Sequence, residues 1–170
     1  MTTRTSPHYK PSKPLVAAKN GNRWVIKPCS LEIIWGGDDR YWRIPKEETD
    51  QPVELLQVSW LEVTGSLGVD QLPKGQELMF KFNVRLKSDA FGWKNAPVYL
   101  SAGFGRACSW KKYDLSLLKK ETIVEVPQYP RVKVPTNPAP GDKIHFGMYE
   151  IWTGTWKGGL FIHDVVIEAV

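Results

Sequence analysis

The stretch ELMFKFNVRLK, residues 77–87, decides the fold class of this chain. Its large apolar side chains fall at every second position, and the positions between them hold mostly polar or charged groups. A period of two is typical of a β-strand with one face on a core and the other in water. The stretch therefore predicts a sheet protein whose strands are solvated on one side.

Similar runs extend along the chain from residue 23 onward. Clusters of Gly, Pro, Asn and Asp separate them, as at residues 36–39 and 135–142, and are typical of turns. The predicted strands cover residues 23–27, 31–35, 55–64, 77–87, 97–102, 122–126, 143–149 and 160–169. A slip in the alternation at His163–Asp164 indicates a β-bulge. The pattern predicts an all-β fold, an antiparallel β-sandwich of jelly-roll type with long loops and at most one short helix, around Asp114–Lys119.

The 170 residues carry a net charge of +5 that is unevenly placed. Residues 1–23 contain five basic side chains and no acidic one, whereas the remainder is balanced. We therefore expect residues 1–22 to form a flexible basic tail and residues 23–170 to form a single domain. A neutral domain lacks the electrostatic footprint of a protein that binds phosphate groups.

Several classes of protein are disfavoured by absent signals. No apolar run approaches the roughly 18 residues of a membrane span, and residues 15–18 are too short for the apolar part of a secretory signal. Cys29 and Cys108 are therefore expected to be reduced thiols in a cytosolic protein. Neither zinc-ligand spacing nor a common catalytic motif is found, so we expect no metal, no cofactor and no membrane partner.

Aromatic residues cluster around the predicted loop at residues 36–40. Neutral sugars need flat apolar faces for their C–H groups, and charged or polar side chains for their hydroxyls. A polar loop flanked by tryptophans offers both. The candidate binding residues here are Trp35, Asp39, Arg40, Tyr41 and Trp42. The alternative is that Trp35 and Trp42 are core residues, and Trp35 has the same parity as the core-facing positions of its predicted strand.

A second candidate lies near the C-terminus. Glu150 shares the inward parity of Ile144, Phe146 and Met148. A lone buried carboxylate is costly, so it must lie at a rim, find a partner or line a pocket. The loop that follows contains the tryptophans Trp152 and Trp156 and the cation Lys157. The alternative is a rim carboxylate that accepts hydrogen bonds from backbone amides.

Three segments together resemble the plant phloem lectins, the family of phloem protein two and the tobacco-agglutinin-like (Nictaba-like) lectins. These segments are LEIIWGGDDRYW at residues 31–42, LLQVSWLEV at residues 55–63, and FGMYE followed by WKGGL at residues 146–150 and 156–160. The resemblance covers about residues 23–170. Its specificity lies in the combination of motifs, because each motif alone is weak.

The resemblance implies a β-sandwich lectin without catalytic activity, which binds N-acetylglucosamine oligomers or the chitobiose cores of N-glycosylated proteins. It also implies a homodimer of the cytoplasm and nucleus, or of sieve-tube sap for a phloem member. Trp35 and Trp42 match the family's sugar-binding tryptophans, and Glu150 matches a family glutamate. At the position of a second family glutamate this chain has Lys143, and this difference concerns the affinity for the sugar. The expected carbohydrate site comprises Trp35, Asp39, Arg40, Tyr41, Trp42, Glu150, Trp156 and Lys157.

A hypothesis from a different class is a structural or RNA-associated phloem protein. In that case residues 1–22 contact nucleic acid and the sandwich only scaffolds them. The neutral domain favours the lectin. A glycosidase is a third alternative, and it would need two carboxylates about 5–10 Å apart across a pocket.

Overall fold

A computed structural model describes residues 7–46 and 49–170 of the chain. These residues form thirteen strands and no α-helix. The strands are β1 (Ala18–Asn20), β2 (Arg23–Ile26), β3 (Glu32–Ile33), β4 (Trp42–Arg43), β5 (Val53–Leu55), β6 (Leu61–Gly68), β7 (Glu77–Phe91), β8 (Val98–Phe104), β9 (Ala107–Tyr113), β10 (Val124–Glu125), β11 (Arg131–Lys133), β12 (Lys143–Glu150) and β13 (Gly158–Ala169). Short 3-10 turns lie at Pro28–Ser30, Val69–Gln71 and Leu115–Leu117, the last where a short helix was predicted. Within residues 7–46 and 49–170, no helix is long and apolar enough to cross a membrane.

The strands form two antiparallel sheets. One is five-stranded, with the order β3-β6-β12-β8-β9. The other is eight-stranded and centres on the long pair β7 and β13, which runs from Gly158 opposite Phe91 to Ala169 opposite Leu78 with two shifts of register. On its far side β13 pairs with β2 and β5, and β7 pairs with β10 and β11. The predicted all-β sandwich is confirmed, and so is the bulge, because the register shifts between Ile162 and Asp164.

The core lies between the two sheets and follows from the alternation of the strands. Phe80 and Phe82 of β7 are buried, as are the other apolar positions of that strand. The ring of Phe146 on β12 packs across the core at 5.2 Å from Phe80 and 6.5 Å from Phe82, centroid to centroid. Gly65 on β6 lies below that ring, where a Cβ atom would collide with it. The ring of Phe146 can lie over this cross-strand neighbour because β6 has no side chain at this position.

The predicted strand at residues 55–64 is two strands in the structure. The amides of Leu56 and Gln57 both donate to the carbonyl of Tyr41, at 2.8 and 3.2 Å. Val58 then exchanges two backbone hydrogen bonds with Lys157, each 2.9 Å long. These contacts lead the chain away from β5 before it joins the other sheet as β6. The edge strand β9 was not predicted, because most of its side chains are exposed and lack apolar alternation.

The described part of the predicted tail lies against the sandwich. Tyr9 exchanges backbone hydrogen bonds of 2.8 and 3.0 Å with Ile33, and its hydroxyl donates to the carbonyl of Cys29 at 2.7 Å. Further along, β1 pairs with β2, so the expected boundary after residue 22 falls inside a hairpin. Backbone hydrogen bonds and single side chains attach this segment to the sandwich. Such contacts do not require alternating apolar residues, so the sequence shows no periodic pattern here. Residues 1–6 of the predicted tail lie outside the described residues.

Replacing Gly65 tests how closely the ring of Phe146 packs on β6. Gly65→Ala should lower the free energy of unfolding by about 1–3 kcal/mol, because the added methyl group must displace the ring of Phe146. Denaturant unfolding measures this difference. Ser66→Ala is the control, because Ser66 lies on the solvent side of the same strand. Equal stabilities for the two variants would contradict the packing described here.

Candidate functional site

The loop after β3 is built from successive backbone turns. The amide of Gly36 donates to the carbonyl of Ile33 at 3.0 Å, and the amide of Asp38 donates to the carbonyl of Trp35 at 3.1 Å. Trp35 itself has a φ of 65°, in the left-handed region that bulky residues rarely adopt. Its side chain is 38% exposed. Parity along a continuous strand favours a core position for Trp35, but the left-handed turn places its ring on the surface.

Three aromatic rings meet beside this loop. The ring centroids of Trp35 and Tyr41 are 5.9 Å apart, and those of Tyr41 and Trp156 are 6.1 Å apart. Together with Val58 and Ser59 they line a pocket of about 210 Å³, which we call the aromatic pocket. Ligand pockets for drug-sized molecules measure roughly 300–1,000 Å³, so this one has room for a single small ring.

The sequence predicted the three aromatic members of this pocket but not Val58 and Ser59. Both come from the interruption between β5 and β6, where an unbroken strand was expected. His8 was also missed, since no periodicity marks it. Its Nδ1 accepts a hydrogen bond of 3.0 Å from the Trp35 amide, and its ring meets the indole edge-to-face at 5.5 Å. His8 therefore helps to hold Trp35 in its left-handed conformation.

Asp38 rather than Asp39 orients the charged group of the loop. The Asp38 carboxylate accepts hydrogen bonds from the Arg40 amide at 3.0 Å and from Arg40 Nη2 at 2.7 Å. The hydrogen bond from the Arg40 side chain lowers the pKa of Asp38 below its usual value. The guanidinium lies 5.1 Å from the ring centroid of Tyr41, in cation–π distance. Asp39 is exposed, and Arg40 lies next to a ring of the aromatic pocket.

Glu150 and Lys157 form a buried ion pair below the pocket loop. Lys157 Nζ lies 3.0 Å from Glu150 Oε1, and both side chains are buried, with exposures of 0% and 1%. The ammonium also donates to the carbonyls of Ser59 at 2.9 Å and Thr155 at 2.8 Å. These three contacts use all three donors of a lysine side chain. Lys157 therefore joins the end of β12, the loop at residues 151–157 and the segment that carries Ser59.

The Glu150 carboxylate is equally well satisfied. It accepts hydrogen bonds from the amides of Trp152 at 3.1 Å and Thr153 at 3.3 Å, and from the hydroxyl of Thr153. Burial acts to raise the pKa of Glu150, but hydrogen bonds from Thr153, Lys157 and the Trp152 amide outweigh it and hold the pKa below its ordinary value. Its inward orientation is as predicted. Of the alternatives open for a buried carboxylate, the structure shows a charged partner together with backbone amides.

Two glycines after Lys157 bring three chain segments together. A side chain on Gly158 would collide with the backbone of Leu56, and Gly159 has a φ of 80° and lies against Ala90. Trp93 Nε1 donates to the carbonyl of Gly158 at 3.0 Å. The motif WKGG thus has a structural explanation: a buried cation is followed by two positions where other backbone segments approach too closely for a side chain.

Trp42 lies in the core and does not line the aromatic pocket. Its side chain is 1% exposed, and its Nε1 meets no acceptor among residues 7–46 and 49–170. Of the two tryptophans that flank the loop, Trp42 is therefore a core residue and Trp35 is a surface residue. The indole of Trp42 contributes by packing below the loop, since β4 holds it opposite Leu55.

Residues 7–46 and 49–170 contain no group of three His, Cys, Asp or Glu side chains that could hold a metal ion. Cys29 is a buried free thiol, and Cys108 is an exposed one on β9.

The site therefore belongs to an antiparallel β-sandwich with an aromatic pocket between two of its loops. The family model for Phloem protein 2 matches residues 21–169, and the chain belongs to this family. Protein PHLOEM PROTEIN 2-LIKE A9 of Arabidopsis thaliana is 37% identical, and the alignment covers the whole of both chains. A lectin of Luffa acutangula is 34% identical over 77 residues, which are 43% of this chain and 37% of that protein.

Among solved structures, a xylan-binding module superposes with a TM-score of 0.43 and 13% sequence identity. The match covers 78% of this chain and 92% of that module. A likeness at this level carries no argument about a ligand. The sandwich fold of the present chain rests on its own strand pairing.

Removing one partner of the buried ion pair should strongly destabilise the protein. Lys157→Met leaves the Glu150 carboxylate buried without its counter-ion, and the expected loss in the free energy of unfolding is about 3–5 kcal/mol. The double variant Glu150→Gln/Lys157→Met should recover part of this loss, because no unpaired charge remains. A double-mutant cycle from denaturant unfolding measures both. A single variant that loses less than about 1 kcal/mol would show that the pair is not a structural constraint.

The same pair should make stability depend on pH in a defined direction. The pKa of Glu150 is lower in the folded protein than its ordinary value of 4.5, so its contribution is present above pH 4.5 and is lost as the pH falls through the folded-state pKa. When the pH is lowered from 6 to 3, the free energy of unfolding should therefore fall more for the parent than for Glu150→Gln/Lys157→Met. An equal fall in the two proteins would assign the acid sensitivity to other carboxylates.

Proposed function

We propose that this chain is a carbohydrate-binding lectin whose aromatic pocket receives one residue of an N-acetylglucosamine oligomer or of an N-glycan core. The observation that carries the proposal is the convergence of Trp35, Tyr41 and Trp156 on one small pocket. Membership of the phloem protein 2 family supports it, as does the similarity to the Luffa acutangula lectin.

The chemistry of the pocket suits a neutral sugar. The C–H face of a pyranose packs on indole and phenol rings, which supply large contact areas with few rotatable bonds. Ser59 lines the same pocket, and the Arg40 guanidinium lies next to Tyr41. A hydroxyl and a charged donor can therefore bond to sugar oxygens at the edge of the stacked ring.

In this proposal Glu150, Lys157 and Trp42 position the pocket. The carboxylate and the ammonium bond to each other and to the loop backbone, and Trp42 packs below the loop. Trp156 is adjacent to Lys157 in the chain, so the ion pair sets the position of its ring. Direct contact of Glu150 or Lys157 with the sugar, and of Asp39 with its hydroxyls, stays a prediction.

We infer binding without catalysis. Glycoside hydrolysis requires two carboxyl groups, one of them protonated to act as the acid. None of the five residues that line the pocket is a carboxylate. The pKa values of Glu150 and Asp38 are both lowered, so neither group is suited to donate a proton near neutral pH. Prolonged incubation with chitohexaose should leave the oligomer intact by mass spectrometry, and shorter products that depend on Glu150 would contradict this inference.

Cellular context follows from the family as a further proposal. We propose a phloem protein of the cytoplasm, with access to the nucleus, whose partners are glycoproteins or free glycans and which acts as a homodimer. Contact of residues 1–22 with RNA is the alternative raised by the basic sequence. Elution from a chitin resin separates the two functions, because chitotriose should release a lectin whereas salt alone releases a protein held by charge.

Removing a ring of the aromatic pocket should weaken sugar binding while the fold survives. Trp35→Ala and Trp156→Ala should each reduce the affinity for chitotriose by about 1–3 kcal/mol, because each deletes a stacking surface. Isothermal titration calorimetry measures the affinity, and circular dichroism checks the fold. Trp35 and Trp156 are both surface residues, so neither deletion opens a core cavity.

The matched control is Phe91→Ala, which removes an exposed aromatic side chain that does not line the pocket. Its affinity for chitotriose should equal that of the parent. Native-like spectra with unchanged affinity in both tryptophan variants would refute the pocket as the sugar site.

A further inference from the structure

The outer face of the five-stranded sheet carries a second group of aromatic side chains, separate from the pocket. Tyr149 on β12 lies directly opposite Tyr99 on β8. The ring of Trp110 lies 5.4 Å from that of Tyr149, and the ring of Trp152 lies 4.8 Å from that of Tyr99, centroid to centroid. Tyr149 and Tyr99 are cross-strand neighbours, whose Cβ atoms lie roughly 4.5–5.5 Å apart, so the two ring pairs are adjacent on the sheet. The rings within the pairs are inclined at 52° and 70°, so the four rings are clustered but not coplanar. We call Trp110, Tyr149, Tyr99 and Trp152 the aromatic row.

Tyr149 lies along the sheet because its neighbour is a glycine. A Cβ atom on Gly147 would be 2.8 Å from Tyr149 Cε2 and 3.0 Å from the Tyr149 hydroxyl oxygen. Side chains on strands normally stand roughly perpendicular to the sheet. Here the phenol ring leans over Gly147 instead, and the exposed indole of Trp110 lies beside it. An exposed indole is a surface on which a pyranose can stack.

Polar groups flank the row on both sides. Glu62 lies opposite Tyr149 on the β6 side, and it accepts a hydrogen bond of 3.1 Å from Trp60 Nε1. Lys112 lies opposite Tyr99 on the β9 side. One acid and one base at opposite ends leave the row without net charge. An uncharged chain rich in hydroxyls finds an acceptor and a donor here.

The outer face of the eight-stranded sheet is different, because its charged and polar side chains are largely paired with one another. There Lys81 pairs with Glu168 at 2.8 Å, and Asn83 donates to Asp164 at 2.6 Å. On this face the ring of Phe161 is covered by the guanidinium of Arg85, 4.1 Å from the ring centroid, while Phe91 at the end of β7 is 45% exposed. On the five-stranded sheet Trp110 and Trp152 remain 50% and 58% exposed. Contiguous exposed apolar surface of this kind marks an interaction site.

The row is also continuous with the aromatic pocket through one loop. Trp152 belongs to the row and Trp156 to the pocket, and both lie on residues 151–157, which Glu150 and Lys157 hold in place. The same loop therefore carries one ring of each site.

We propose that the aromatic row binds an extended, uncharged chain of β-linked pyranoses, as a second carbohydrate site on the solvent face of the five-stranded sheet. The pyranose rings stack on the exposed indoles of Trp110 and Trp152, which pack on Tyr149 and Tyr99, and Glu62 and Lys112 bond to hydroxyls at the two margins. The site goes beyond the proposed pocket and does not require it, since a different set of side chains forms it.

The test uses calorimetry with chitohexaose and cellohexaose, in the full chain carrying Trp35→Ala/Trp156→Ala so that the pocket is removed. This protein should still bind at least one of the two hexaoses. Adding Trp110→Ala or Trp152→Ala should weaken that binding about tenfold, on the scale of one lost stacking contact. Gly147→Ala should also weaken it, because the new methyl group lifts Tyr149 from the sheet while every aromatic ring remains in the chain.

Phe161→Ala on the opposite sheet is the control and should leave hexaose affinity unchanged. Trp152 lies on a loop, so Trp152→Ala keeps the test readable if Trp110→Ala unfolds by circular dichroism. The second site would be refuted if the protein without the pocket bound neither hexaose. It would also be refuted if Trp110→Ala and Trp152→Ala did not weaken hexaose binding. Variants that change only the binding of single-stranded RNA, or only the oligomeric state in sedimentation, would refute it as well. If the parent does not bind chitotriose but binds a hexaose in a way that depends on Trp110, the proposed pocket would be refuted and the aromatic row would be supported.

Discussion

The ion pair between Glu150 and Lys157 is the constraint on which the candidate sites depend. Two opposite charges are taken out of water, and such burial is tolerated only where every hydrogen-bonding position is satisfied. Lys157 uses its three donors, and Glu150 accepts from two backbone amides and a hydroxyl in addition. The result is a loop whose backbone has one well-defined path. The path of the loop backbone sets the positions of its aromatic rings, Trp152 and Trp156.

Backbone conformation, rather than strand periodicity, turns the key rings toward solvent. Trp35 reaches the surface through a left-handed φ that the bond to His8 supports. Tyr149 lies flat because Gly147 has no side chain, and Trp152 and Trp156 lie outside any strand. Burial of these rings in the core would gain more hydrophobic free energy, so their exposure costs the fold some stability. The proposed binding surfaces give a physical reason for that cost.

Periodicity was a good guide where strands are long and half-buried. In β7, β12 and β13 one face packs on the core, so the side chains must alternate and the pattern is visible in the chain itself. Even the bulge near His163 follows from a slip in that pattern. Short or edge strands such as β9 and β11 gave no such signal, because their side chains meet water on most positions and any residue is tolerated there. The segment at residues 7–20 escaped prediction for a similar reason.

The amino-acid sequence by itself determined the sheet class, the inward direction of Glu150 and the concentration of aromatic residues near two loops. These are properties of local order along the chain, where parity and turn residues carry the information. Only the tertiary structure decided that Trp35 is exposed while Trp42 is buried, and that Lys157 is the partner of Glu150. It also brought Val58 and Ser59 to Trp35, and Trp110 to Tyr149. These pairings join residues far apart in the chain, so they exist only once the two sheets have packed and the loops have closed over them.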